Sequence, residues 1–292
     1  MAEGAVEVYL VKAFTEEAAG GNPAGVVLDA DGLTDEQKQQ IASEVGYSET
    51  AFVTRPDNAD FKLDFFTPTK PIAHCGHATV ASFALLRQLG KVEQDRVTTM
   101  TADGIREIMF EGERVFMEQS QPVYRALDHD LKAEALKSLG LQPNQLNPIA
   151  PIKIVSTGNR FLIFGVKTEE DLRSIHPDHA MISDISNRLD LIGFYVYTPL
   201  KRGATVATAR MFAPYYGIEE EAATGMAAGP LSAFLVDLTG VSREEFVIQQ
   251  GEHMSPPSPS KIIARVKREA GKIESVVIGG SAAVGDKRTV RV

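Results

Sequence analysis

The sequence predicts an α+β fold of two pseudo-symmetric domains, each a curled mixed β-sheet or barrel around a central buried α-helix. Three observations predict it: strand-like segments outnumber helical ones, two helical segments lack a polar face, and the approaches to those two segments match. Apolar residues recur at every second position, or in short β-branched runs, over 6–11, 25–28, 50–53, 61–66, 105–110, 115–117, 152–156, 160–166, 193–198, 205–212 and 276–278. Such patterns mark strands. The helical segments 77–89 (HATVASFALLRQL) and 226–238 (MAAGPLSAFLVDL) are small or apolar on nearly every face. A surface helix keeps a polar face, so these two must be surrounded by protein.

Taken in order, 6–11 follows a short N-terminus without a basic stretch and an apolar run, and so reads as a first strand instead of a signal peptide. Gly20-Gly21-Asn22-Pro23-Ala24-Gly25 is either a turn before a strand or a device presenting the Asn22 amide to a ligand. Thr34-Asp35-Glu36-Gln37 opens a helix over 34–45, since a hydroxyl and a side chain three residues on can satisfy the free amides. Glu49 then enters the strand 50–53 among apolar neighbours, and desolvation there would raise its pKa toward the useful acid–base range. An exposed turn glutamate is the alternative. The strand 61–66 ends in Phe66-Thr67-Pro68 and feeds Gly76-His77-Ala78; the strand 205–212 runs into Phe212-Ala213-Pro214 and feeds Gly225-Met226-Ala227. This parallel points to an internal duplication. Segments 131–139, 168–175 and 181–189 read as further helices, Pro230 should kink the second buried helix, and Gly279-Gly280 marks a bend between strands. The change of pattern near 122–130 places the first domain at 1–125, joined by a last strand at about 283–292, and the second at 126–282.

Composition narrows the function classes. Hydrophobic residues make up 43% of the 292-residue chain and charged residues 24%, enough to build a sizeable core. The formal charge of −9 opposes nucleic-acid backbones, and the basic residues over 261–268 are diluted by apolar ones, as on the solvated face of a strand. Tryptophan is absent and aromatics are few, which disfavours base-stacking platforms. No run approaches about 18 apolar residues, so neither a membrane span nor a membrane partner is expected. The single cysteine, Cys75, excludes any intrachain disulfide, and a cytoplasmic location is expected.

Chemistry is expected where the two buried helices begin. A helix N-terminus offers unpaired amides and partial positive charge to carboxylates and oxyanions. Two of them facing a cleft between the domains would grip a small acid. The loops before them carry His74, Cys75, Gly76 and His77, and Glu219, Glu220, Glu221, Thr224 and Gly225. His74-Cys75-Gly76-His77 is too compressed for the usual structural zinc spacings, so no metal is expected, and His176-Pro177-Asp178-His179 reads as a turn. Cys75 is either a nucleophile or a small buried side chain. Glycine-rich nucleotide signatures, a G-x-S-x-G elbow and H-E-x-x-H are all missing.

The ordered set Gly21-Asn22-Pro23-Ala24-Gly25, Ser48-Glu49-Thr50-Ala51-Phe52, Phe66-Thr67-Pro68, Cys75-Gly76-His77-Ala78-Thr79, Arg210 to Pro214 and Ala223-Thr224-Gly225 resembles the PhzF-like family of phenazine biosynthesis, whose fold is diaminopimelate epimerase-like. The resemblance runs from Val8 to about Gly280. It implies a cofactor-independent isomerase that moves a proton on a small acid, the type reaction shifting a double bond in a hydroxylated cyclohexadiene carboxylate. It assigns Glu49 as the catalytic glutamate, His77 and Glu221 as further catalytic groups, and Asn22, Ser48, Gly76, Thr224, Gly225 and Met226 as substrate-binding. It also implies a homodimer with a small acidic metabolite as partner. Glu221 stands where the family pattern has aspartate, Met226 where it has serine, and Met254-Ser255-Pro256-Pro257-Ser258 lacks the pattern's arginine. A metabolite-binding or regulatory protein with impaired turnover is therefore the competing expectation. Related epimerases oppose two thiols, and one cysteine excludes that chemistry.

Overall fold

A computed structural model describes residues 4–16, 19–101, 104–202, 205–240 and 245–292. The chain divides into two units, Met1–Glu118 with Gly279–Val292, and Gln119–Ile278. In the first run β1 (Ala5–Ala13), β2 (Asn22–Val27), α1 (Asp35–Val45), β3 (Thr50–Thr54), β4 (Phe61–Phe66), the short β5 (Pro71–Ile72), α2 (Gly76–Gln88), β6 (Arg96–Thr101), β7 (Gly104–Glu111) and β8 (Arg114–Gln119). The second holds β9 (Val123–Ala126), α3 (His129–Ser138), β10 (Lys153–Ser156), β11 (Arg160–Gly165), α4 (Glu169–Arg173), α5 (His179–Leu189), β12 (Gly193–Arg202), β13 (Thr205–Ala213), β14 (Ile218–Glu221), α6 (Gly225–Thr239), β15 (Phe246–Gln250), β16 (Ser260–Glu269) and β17 (Lys272–Gly280). The last strand, β18 (Ala282–Arg291), returns to the first unit and pairs antiparallel with β1.

The first unit is a mixed sheet. β1 and β2 are antiparallel, β2 and β3 parallel, β3 and β4 antiparallel, β4 and β6 parallel, and β6, β7 and β8 antiparallel in turn. Each parallel step requires a crossover. The first is α1, opened by the expected capping box between Thr34 and Gln37 and closed by Gly46 at φ 73°. α1 buries Ile41, Ala42 and Val45 in a core with Val8, Val27, Phe52, Phe66 and Val290. The second crossover is α2, whose residues Gly76–Leu86 are all buried and which packs against β1, β2, β3 and β18. Its polar side chains stay satisfied by bonding back along the helix: Thr79 Oγ1 donates to Cys75 O and Ser82 Oγ to Ala78 O, both at 2.7 Å.

The second unit repeats this order of pairings. β10 and β11 are antiparallel, β11 and β12 parallel, β12 and β13 antiparallel, β13 and β15 parallel, and β15 and β16 antiparallel. Here α4 and α5 fill the first crossover, capped by Thr168 and Asp178, and α6 fills the second. α5 and α3 bury their apolar faces in a core with Leu162, Phe164, Phe194, Val196 and Phe212. α6 packs against β10, β11 and β16. It runs through Pro230 as one helical segment to its C-cap, Gly240 at φ 64°, so the proline does not end it.

Candidate functional site

In the first unit three titratable side chains meet at the start of α2. Glu49 immediately precedes β3, and its carbonyl accepts the Gly25 N–H at 3.1 Å, which ties it to the parallel β2–β3 pair. The side chain is buried. Its Oε2 lies 3.2 Å from His77 Nε2, an ion-pair approach that lacks hydrogen-bond alignment. His77 Nδ1 is 3.5 Å from Cys75 Sγ. Cys75 is the N-cap of α2, in extended conformation, and its own side chain makes no cap bond to the first amides of the helix.

Electrostatics sorts the three. Burial pushes the Glu49 carboxyl up, but the imidazole of His77 and the hydroxyl of Ser48 outweigh it and hold the group below the ordinary glutamate range. The sequence expectation of a raised pKa is corrected accordingly: desolvation acts as foreseen, and the tertiary approach of His77 reverses the sign. Cys75 goes the other way. Burial and then the Glu49 charge push its thiol up to about 11, so it is neutral at physiological pH. Glu49 is the anionic group of the trio and the one ready to accept a proton. The donor atoms of Glu49, Cys75 and His77 also lie within 4.8 Å of one another, close enough to share a soft cation. His74 is half-buried and outside this group. Asn22 opens β2 as a buried residue after Gly21, whose φ of +86° and whose Cβ position 2.8 Å from the Ala13 carbonyl leave room for glycine alone.

The second unit builds its helix start differently. Glu219 is exposed. Glu220 is locked in a two-pronged ion pair with buried Arg210, both contacts at 2.8 Å, while Arg210 Nη1 donates to Leu172 O and Ile175 O. Glu221 alone of the three is buried, and its Oε2 accepts a very short hydrogen bond from Thr224 Oγ1. Thr224 is the N-cap of α6, again without a side-chain cap bond.

Two buried glutamines that sequence reasoning missed hold this loop. Gln250, at the end of β15, accepts from Thr224 N at 3.1 Å and Tyr195 Oη at 3.0 Å, and donates to Glu221 O at 2.8 Å and Thr224 Oγ1 at 3.1 Å. Gln119 donates to Gly225 O at 3.1 Å and Met226 Sδ at 3.5 Å, and accepts from Thr157 Oγ1 at 2.5 Å. Gly229 exists to admit it, since a Cβ there would stand 1.9 Å from Gln119 Oε1. Only a polar residue at the buried end of an apolar strand hints at such roles, and that signal is weak.

Among the described residues, a second group with metal-ligating atoms comprises Glu169, Glu252 and His253. No helix among them is long and apolar enough to cross a membrane.

Comparison with known proteins adds to this geometry. A family profile described as phenazine biosynthesis-like protein (PhzC-PhzF) matches residues 11–288. The chain is 33% identical to an uncharacterised isomerase of Clostridium acetobutylicum, covering 95% of each. It is 31% identical to the trans-2,3-dihydro-3-hydroxyanthranilate isomerase of Pseudomonas chlororaphis, covering 96% of this chain and 98% of that one. The crystal structure of a PhzF-family protein of Bacillus anthracis superimposes with a TM-score of 0.89 at 28% identity, covering 99% of this chain and all of the other.

Proposed function

The chain belongs to the phenazine biosynthesis-like family and is an isomerase, and on that premise we propose that it moves a proton on a small carboxylate-bearing substrate by general acid–base catalysis through Glu49, without a cofactor. One observation carries this: a buried, ionised glutamate 3.2 Å from a histidine, at a helix start whose N-cap residue makes no side-chain cap bond. Glu49 takes a carbon-bound proton as base and returns it as acid. His77 supports the carboxylate between the two steps. The amides at the start of α2 favour the negative charge that develops on the substrate. Cys75, protonated at neutral pH, is a poor competitor for the base role.

Glu221 is proposed as a second catalytic carboxylate, with Thr224, Gly225 and Met226 in the second unit and Asn22, Ser48 and Gly76 in the first as substrate-binding residues. The units are read as pseudo-symmetric halves, each a sheet curled round its central helix, in a cytoplasmic homodimer. Met226 puts a thioether where a hydroxyl would hold a polar substituent, which favours a substrate other than that of the dihydrohydroxyanthranilate isomerases.

The test is proton exchange in deuterated water with small unsaturated or α-chiral carboxylates. The wild type should place solvent deuterium on carbon, and Glu49→Gln should lose that exchange. Exchange persisting within a few-fold in Glu49→Gln removes Glu49 from the role. Ligands that stabilise the protein without any exchange would instead favour the metabolite-binding reading, which the Met226 thioether also supports.

A further inference from the structure

Away from the start of α6, the second unit holds a cluster that the proton chemistry leaves unused. Glu169 is the first residue of α4, and Glu252 and His253 follow β15 after Gly251. A ring nitrogen of His253 and one oxygen of each glutamate lie within 4.8 Å of one another. His253 Nε2 sits 3.6 Å from Glu169 Oε1, too far for a hydrogen bond, with the imidazole only 5% exposed. That nitrogen is buried and has no hydrogen-bond partner among the described residues. Buried polar atoms are nearly always paired, so this one calls for an explanation.

We propose that Glu169, Glu252 and His253 form a binding site for a divalent transition-metal ion of the zinc class, which competes with the Arg173 guanidinium for the same donors. One imidazole and two carboxylates suit such ions. Bonds of about 2.1 Å give a tetrahedron with edges of about 3.4 Å, close to the spacing between His253 and Glu169. The loop is held from beneath: Ser258 N donates to Gly251 O at 2.9 Å, and Gly251 has φ +82°.

Arg173 is the internal rival. Its Nη2 donates to Glu169 Oε1 at 2.9 Å, and its Nε to His253 Nδ1 at 3.4 Å. An ion on Nε2 leaves the imidazole proton on Nδ1, where it would face the Arg173 N–H, donor against donor. The ion therefore enters only as Arg173 leaves, and the Arg173 side chain, 57% exposed, has water to swing into. Occupancy would tie α4 to the residues directly after Gln250, which braces the start of α6.

The experiment titrates the chelator-treated full chain with Zn²⁺ by calorimetry and with Co²⁺ by visible absorption. About one equivalent should bind, weakened about tenfold or more in His253→Gln and in Glu169→Gln, tightened in Arg173→Gln and unchanged in Cys75→Ser. The Co²⁺ spectrum should lack the charge-transfer band of a thiolate ligand. No saturable binding up to about 1 mM metal in either wild type or Arg173→Gln overturns the site. So does binding abolished by Cys75→Ser, which would put the ion on the Glu49–Cys75–His77 trio. If His253→Gln fails to fold, as circular dichroism of the metal-free protein would reveal, Glu169→Gln and the Co²⁺ spectrum decide.

Discussion

α2 and α6 occupy the same place in the order of strand pairings, and both are buried helices entered from a Phe-x-Pro strand end without a side-chain cap, yet their beginnings are furnished differently. At α2 the polar groups are titratable, and one carboxylate oxygen lacks an aligned hydrogen bond. At α6 they are mainly neutral amides and hydroxyls, tied by Gln250 and Gln119 into a bonded network. A buried carboxylate held ionised by a neighbouring imidazole is poised for proton transfer; a satisfied amide network is rigid and chemically quiet. The α2 start thus carries the group proposed to move the proton, while the α6 start holds Glu221 in a braced network.

The sharpest way to break this comparison is to neutralise one carboxylate in each unit. Glu49→Gln is expected to lower turnover about 10²- to 10⁴-fold. Glu221→Gln keeps an oxygen that can accept from Thr224 and is expected to lower it about tenfold or less. Rate constants for both variants on one substrate check this, and the reverse order would move the proton carrier to the second unit.

Stability should show the opposite emphasis. Gln250→Ala leaves Thr224 N–H, Tyr195 O–H and Glu221 O without their partner, with an expected loss of about 2–4 kcal/mol in urea unfolding. A loss below about 0.5 kcal/mol would show that the α6 start does not depend on it. Gly229→Ala drives a methyl group into Gln119 and should cost about 1–3 kcal/mol, measured in the same way.

The smallest effect is on the pH dependence of stability. Glu49 has a folded pKa below its unfolded value, so its ionisation stabilises the fold above the unfolded glutamate pKa, and that contribution is lost as pH falls through the folded value. The stability gap between wild type and Glu49→Gln should therefore shift against the wild type on acidification from neutral pH. A gap independent of pH would mean that His77 does not favour the Glu49 anion.

Much of this was legible in the sequence, and the gaps have physical causes. The capping box at Thr34, the apolar helices and most core strands follow from local periodicity. β6 escaped notice because threonines and an arginine dilute its apolar alternation, and β9 because its pairing with β10 compensates for a short, mostly exposed segment. Glu49 and His77 were legible as candidates through their motifs, and Glu221 through the second loop. Gln119 and Gln250 were not, because a buried glutamine differs from an exposed one only through partners that lie 106 and 26 residues away in the chain.

By itself, the sequence determined most of the core strands, which two helices must be enclosed, that one cysteine rules out a two-thiol mechanism, and where the candidate side chains cluster. Those properties are set by residue type and by neighbours within a few positions. Tertiary structure decided the protonation of Glu49, the inertness of Cys75, the diversion of Glu220 to Arg210 and the bracing of α6. Each of these depends on distance and burial between groups remote in the chain, and in a dry interior the balance between desolvation and charge pairing turns on a few ångströms.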